Sequence, residues 1–368
     1  IFKQTIKQEV QNMSEVLKIG VSRFVYGEGV IDTLPDEIKR YGAKAFLIGG
    51  KTTLPMIREK IGAKAESEGV EADWNLMDEP NSVDFAKRLS AKATVQKADV
   101  IVAIGGGKCM DLSKVVSDMA KLPLITVPTS VATCAGSSAV SIMYTKDTGS
   151  YDCSIPKEKE VDSVIADIDI IGDSPKRLFA SGILDSIAKL PEIVNGRADM
   201  TYPGVSVFKK MAYMNSTFIY DFLTKYGVEV YENPKKDPIL LRDLVLVNLI
   251  ITSMVSGFSS GSDQLAIAHG LYDGTRKFFP IESKESLHGE IVAVGVLMQM
   301  RFNKDPEEEY QKVYHMMKAM NMPTKLSELG VEPTEENIAK LKEYNIMKNN
   351  MTAAEDLKQL DIAFEEII

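Results

Sequence analysis

Three histidines occur in 368 residues: His269, His288 and His315. Two of them adjoin glycines within helical stretches, in Ala268-His269-Gly270 and His288-Gly289-Glu290. They stand 19 positions apart, which lets two neighbouring helices bring both imidazoles to one point. A carboxylate would complete such a site. Asp185 is the candidate, because it interrupts the apolar helical run Ser181-Gly-Ile-Leu-Asp-Ser-Ile-Ala188, where a buried charge needs a partner. Two imidazoles and a carboxylate leave one position open on Zn²⁺ or Fe²⁺, and a catalytic metal needs that opening. His315, on the charged stretch Glu307–Met320, reads as structural.

A second group of residues suits a phosphate. Ile104-Gly-Gly-Gly-Lys108 lies between a strand and a helix. Gly106 and Gly107 let backbone N–H groups approach a pyrophosphate, the helix start adds partial positive charge, and Lys108 adds a full one. The pattern is neither G-x-G-x-x-G nor a Walker loop, and a bare triple glycine is also a tight strand–helix turn. Asp111, one turn in, would complement the helix dipole. Ile48-Gly-Gly-Lys51 repeats the arrangement after an earlier strand. A carboxylate for the ribose 2′-hydroxyl is usual at that place. Gly50, Lys51 and Thr52 stand there instead, which suits a 2′-phosphate and favours NADP(H) over NAD(H).

The elements that must carry these residues alternate in the first half. Strands are expected at Lys44–Gly50, Val70–Met77, Asp99–Ile104 and Leu124–Val127. Helices are expected at Leu54–Glu68, Ser82–Lys97 and Met110–Ala120. That alternation means a parallel sheet covered on both faces, with ligands outside the carboxyl ends of its strands. From Ser174-Pro175, read as a capped helix start, strand signals nearly vanish. Helices are expected over Pro175–Val194, Val205–Lys225, Pro238–Gly257, Asp263–Arg276, Leu287–Phe302 and Glu307–Met320, with shorter charged helices after them. The fold class is therefore an α/β dinucleotide-binding domain over 13–172 followed by an all-α domain over 173–368. Residues 1–12, ahead of Met13, read as a leader and are set aside.

Composition narrows the function class. Forty-three Lys and Arg against 52 Asp and Glu give a net charge of −9, which argues against a nucleic-acid partner. No apolar run reaches the roughly 18 residues of a membrane span, and Leu244–Phe258 reads as a buried core helix. Three cysteines are too few for a disulfide framework, and a reducing, cytoplasmic setting is expected.

These residues resemble the iron-containing alcohol dehydrogenase superfamily, and within it the glycerol dehydrogenase group. The anchors are Gly105-Gly-Gly-Lys-Cys-Met-Asp111, Pro128-Thr-Ser-Val-Ala-Thr133, Ser138-Ala-Val-Ser-Ile-Met-Tyr144, Ala180-Ser-Gly-Ile-Leu-Asp185, Ala268-His-Gly-Leu-Tyr-Asp-Gly274 and Leu287-His-Gly-Glu290. The resemblance implies the dehydroquinate synthase-like architecture of two domains with the active site between them. It implies Asp185, His269 and His288 as ligands of one divalent metal. It places Gly107, Lys108, Asp111, Thr129, Ser138, Val140 and Tyr144 against the dinucleotide, and Ser130 and Ala132 of the same motif are counted with them. Gly50 falls where NAD-using members have aspartate. Relatives commonly associate, so a homo-oligomer is expected.

Two departures bear on the substrate. Glycerol dehydrogenases have aspartate at the position of Cys134, and a cysteine cannot take hydroxyl hydrogen bonds as a carboxylate does. The Thr133-Cys134-Ala135 run and Lys189 look more like the hydroxycarboxylate dehydrogenase branch. Tyr272 stands where many relatives have another histidine, and is the candidate proton relay. The expected function is hydride transfer between NAD(P)(H) and a small-molecule 2-oxo or 2-hydroxy acid or related carbonyl, with Cys134 and Lys189 touching the substrate. Oxidation of glycerol with NAD is the alternative, and a non-catalytic nucleotide- or metal-binding regulator the further one. The basic phosphate-binding cluster of dehydroquinate synthases is missing.

Overall fold

The four segments expected as strands all fall in one parallel sheet. The computed structural model describes residues 17–196, 199–259 and 264–368. The 1–12 segment and the expected helix start at Asp263 lie outside them. In chain order the first half runs β1 (Val21–Gly27), α1 (Leu34–Lys39), β2 (Lys44–Gly49), α2 (Thr53–Ser67), β3 (Glu71–Leu76), α3 (Val83–Val95), β4 (Val100–Gly105), α4 (Gly107–Ala120) and β5 (Leu124–Pro128). Then come β6 (Val140–Tyr144), β7 (Tyr151–Pro156) and β8 (Val161–Asp167).

The six-stranded sheet has the order β1-β8-β5-β4-β2-β3 with every pairing parallel. Alternate side chains face opposite layers. Phe46, Ile48, Ile101 and Ala103 pack with α3 and α4 on one side. Ala45, Leu47, Val100 and Val102 pack with α1 and α2 on the other. The chain leaves β2 toward one edge of the sheet and leaves β4 toward the other. The crevice between their carboxyl ends is therefore the topological switch point where such sheets bind ligands. Both glycine-ended strands border it.

Three strand segments beyond those expected follow β5. β6 and β7 form a separate antiparallel hairpin, and β8 returns to the sheet between β1 and β5. From Ile168 onward every described element is a helix: α5 (Ile168–Gly172), α6 (Lys176–Ile187), α7 (Lys189–Val194), α8 (Val207–Glu232), α9 (Pro238–Leu246), α10 (Thr252–Phe258), α11 (Ile267–Phe278), α12 (His288–Asn303), α13 (Glu307–Ala319), α14 (Glu335–Lys348) and α15 (Ala354–Glu365).

Several expectations are corrected here. Ser174 does not cap α6: the N-cap is Pro175, and the Ser174 hydroxyl is buried without a partner. The helix expected over Pro175–Val194 divides at Ala188, so Lys189 opens a new helix. A π turn at Val247–Ile251 joins α9 and α10 into one helix of 21 residues, whose best stretch has mean hydropathy 1.8. By length and composition alone that helix could cross a membrane, contrary to the expectation from the sequence. It packs along α8, Asn248 donates to the Val131 carbonyl at 3.3 Å and the Thr252 hydroxyl to Ser186 at 2.9 Å. These contacts mark it as a core helix.

Candidate active site and metal centre

Asp185 lies on α6, His269 on α11, and His288 opens α12. One ligand atom from each lies within 4.8 Å of the others. His288 Nε2 is 3.1 Å and His269 Nε2 3.2 Å from the same oxygen, Asp185 Oδ1. The helices meet this closely because glycine permits it. A Cβ on Gly289 would sit 1.9 Å from the Ser181 carbonyl oxygen, and one on Gly182 1.7 Å from that of Val131. The start of α12 is tied to the start of α6 by Arg177, whose guanidinium grips the Glu290 carboxylate. Glu290 in turn accepts the Leu287 N–H at 2.7 Å. His315 is exposed on α13, away from the cluster.

The charges around the cluster explain one another. Burial acts against the Asp185 carboxylate, but the facing His288 and the hydrogen bonds from both rings hold it well below the usual carboxylate range. Burial likewise acts against the His269 cation, yet the Glu192 and Asp185 carboxylates raise its pKa overall. A site that holds positive charge this firmly suits a divalent cation, which competes with protons for the same lone pairs. The donor set of two imidazoles and a carboxylate fits Zn²⁺ or Fe²⁺.

Lys189 and Cys134, read from the sequence as substrate contacts, lie close to the ligands. Lys189 Nζ is 3.3 Å from His269 Nε2. Burial acts against its charge, but Asp185 and Glu192 keep it firmly an ammonium. Burial pushes the Cys134 thiol up to about 11, with Asp185 adding to the rise. Residue 134 is therefore a neutral thiol where a carboxylate would add a further negative charge.

The residues assigned to the dinucleotide gather along the carboxyl edge of the sheet. Gly50, Lys51 and Thr52 follow β2; Gly106, Gly107, Lys108 and Asp111 follow β4. Thr129, Ser130, Ala132 and Cys134 lie on the loop after β5, and Ser138, Val140 and Tyr144 lead into or form β6. Lys51 and Thr52 are exposed. The nearest atom to a Cβ on Gly50 would be Thr53 Oγ1 at 3.4 Å, an ordinary contact, so a Cβ is accommodated there. Lys108 Nζ lies 5.4 Å over the Tyr144 ring; the surrounding protein and nearby Arg276 lower its pKa. The Tyr144 and Tyr272 hydroxyls share a hydrogen bond, and the Tyr272 ring centroid is 4.1 Å from that of His288. Three contacts thus lead from the triple-glycine turn to the metal cluster. Burial pushes the Tyr272 phenol up to about 12, so at neutral pH it serves as a hydrogen-bond donor.

Sequence reasoning missed two side chains, Lys114 and Glu192. Asp111 is buried and pairs with Lys114 at 2.8 Å. Lys114, fully buried, also donates to the carbonyls of Ser138 and Val140. The pair pins the β6–β7 hairpin to α4, and its signal is the i, i+3 spacing of opposite charges. Glu192, seven residues after Asp185, bonds to the His269 ring through Nδ1, on the side away from Asp185. A polar depression of about 520 Å³ lined by Arg177, Glu285, Glu290 and Lys318 lies on the outer side of the Arg177–Glu290 bridge. None of the three cluster residues lines it.

Comparison with known proteins agrees with this geometry. Residues 22–167 match the family model described as iron-containing alcohol dehydrogenase. A glycerol dehydrogenase of Thermotoga maritima is 27% identical over 346 residues, covering 89% of this chain and 88% of that protein. A glycerol dehydrogenase of Pseudomonas putida is 28% identical over 312 residues, 84% of each chain. The crystal structure of a probable glycerol dehydrogenase from Sinorhizobium meliloti 1021 superposes with a TM-score of 0.81 at 20% identity, covering 96% of this chain and 98% of that one. Through residues 22–167 and these relatives, the chain resembles the iron-containing alcohol dehydrogenase superfamily. The likeness is to the superfamily's glycerol dehydrogenase-like group, and the chain has the two-part fold of those structures. That resemblance supports an oxidoreductase and implies a nicotinamide cofactor and a divalent metal.

Proposed function

We propose that this protein transfers hydride between NADP(H) and a small 2-oxo or 2-hydroxy acid or related carbonyl, at a metal held by Asp185, His269 and His288. One observation carries the substrate reading: the ligand cluster is bordered by a neutral thiol, Cys134, and an ammonium, Lys189. A carboxylate at position 134 would repel an anionic substrate, whereas this pair admits and neutralises one. When bound, the cation supplies Lewis-acid polarisation of a substrate oxygen and the nicotinamide carries the hydride. The chain's own residues do the rest. Gly106, Gly107 and Lys108 receive the pyrophosphate; Thr129, Ser130, Ala132, Ser138 and Val140 line the same edge. Tyr144 is fixed by Tyr272, which also packs against His288. Lys189 orients the substrate carboxylate. Gly50 in place of an aspartate, with Lys51 and Thr52 beside it, supports NADP(H).

A second reading, oxidation of glycerol with NAD, is favoured by the names of the relatives. Initial rates with NADPH and NADH on 2-oxobutyrate, 2-oxoglutarate and dihydroxyacetone separate the two. Faster turnover of dihydroxyacetone with NADH than of either acid with NADPH would overturn the first reading.

The division into domains near residue 172 follows the change from sheet to helices. Three unpaired cysteines support a cytoplasmic setting. A homo-oligomer is supported by α8, where Val207, Met211, Met214 and Phe218 are all exposed along one face. An antiparallel second copy of that helix would set Phe218 on Met211 and Lys210 opposite Asp221.

A further inference from the structure

Glu192 is 3% exposed in the first turn of α7. A buried carboxylate must replace lost hydration with donors, and its donors belong to one residue. Oε1 accepts the backbone N–H of His269 at 3.0 Å and its ring Nδ1–H at 2.8 Å; Oε2 accepts Nδ1–H at 2.9 Å. An ionised carboxylate has no proton to give. Nδ1 therefore carries a ring proton, and Nε2, turned toward Asp185 and His288, is the nitrogen whose lone pair a cation would take.

We propose that Glu192 is a positioning residue that fixes the tautomer and aim of His269 and thereby sets the affinity of the cluster for a divalent cation. The inference rests on reading the cluster as a metal centre. His288 packs instead against the Tyr272 ring, with centroids 4.1 Å apart, so the two imidazoles are not equivalent. Glu192→Gln keeps the shape but sets an N–H₂ group against Nδ1. Nδ1 then gains by accepting, the proton moves to Nε2, and the lone pair facing the cluster is lost.

The test titrates Zn²⁺ into the metal-stripped full chain against a competing chelator. Glu192→Gln is expected to bind about 10- to 100-fold more weakly than wild type, with unchanged melting of the metal-free protein. Nitrogen NMR of metal-free wild type at alkaline pH, where the ring is neutral, is expected to show His269 protonated at Nδ1. This second measurement decides the matter without a variant if Glu192→Gln does not fold. A folded Glu192→Gln chain that binds Zn²⁺ within twofold of wild type would overturn the role of Glu192 alone, as would a proton on Nε2 in wild type. A wild-type chain that takes up no divalent cation would overturn the metal centre as well.

Discussion

At the scale of single residues, one oxygen organises the site. Asp185 Oδ1 faces both imidazoles, so neither histidine has a role apart from it. His269→Ala is therefore expected to lose bound metal and turnover together. Metal analysis and a kinetic assay on one preparation check this; full activity in the variant would remove the mechanism. Gly50 gives an independent residue-scale expectation. Its surroundings accommodate a Cβ, so Gly50→Asp is expected to fold normally and to lower the NADPH-to-NADH ratio of kcat/KM by tenfold or more, since a carboxylate repels a 2′-phosphate and accepts the 2′-hydroxyl. The histidine pair, Asp185 and the glycine turn were legible because each is rare or out of place in its stretch. Glu192 carried a similar signal, a lone carboxylate in Leu190-Pro-Glu-Ile-Val194. Lys114 was less visible, because nothing in an Asp–Lys spacing distinguishes a buried pair from a solvated one.

At the scale of elements, close helix packing sets the ligand geometry. Gly289→Ala would drive a Cβ into the Ser181 carbonyl and force α12 from α6. We expect at least about 2 kcal/mol of destabilisation by denaturant unfolding, with weaker metal retention. The junction of α12 and α13 offers a pH-dependent test. Burial raises the pKa of Asp305 from 3.8 to about 6, and nearby Glu309 adds to the rise. The folded state then holds a proton that the unfolded chain has lost, so this residue weakens the fold as pH climbs from about 4 to 6. Asp305→Asn should raise the melting temperature at pH 8 and leave it unchanged below pH 4. The strands β2, β4 and β5 were legible because they are continuous and apolar, and β3 because Ala72, Trp74 and Leu76 alternate with Glu71, Asp73 and Asn75. β8 was not, for polar side chains interrupt its pattern: Asp162 accepts the Leu124 N–H, Ser163 donates to Glu37, and Asp167 accepts the Ile31, Asp169 and Ile170 N–H groups. Those partners lie 38 to 136 positions away for three of the five bonds, beyond any local reading. β7 alternates half-buried and exposed residues in a two-stranded hairpin, which leaves little apolar signal. The π turn in the 238–258 helix had no local marker.

At the scale of the whole molecule, the sheet's switch point and the three-helix cluster must face each other for hydride transfer. Lys108, Tyr144, Tyr272 and His288 form a continuous line of contacts between them. The exposed stripe of α8 lies elsewhere, on its own helix. Phe218→Glu with Met214→Glu is expected to shift the sedimentation coefficient toward that of a single chain without changing the far-ultraviolet spectrum. An unchanged assembly would assign the contact to another face. The central claim is that Asp185, His269 and His288 grip one catalytic divalent cation. Its most direct test is the stoichiometry of metal per chain, measured alongside NADPH-dependent reduction of 2-oxo acids, in wild type and Asp185→Asn after reconstitution with Zn²⁺ or Fe²⁺. The account expects one metal per wild-type chain, and loss of both metal and turnover in the variant. A folded variant that keeps its turnover, or an active wild type that holds no metal, would contradict it.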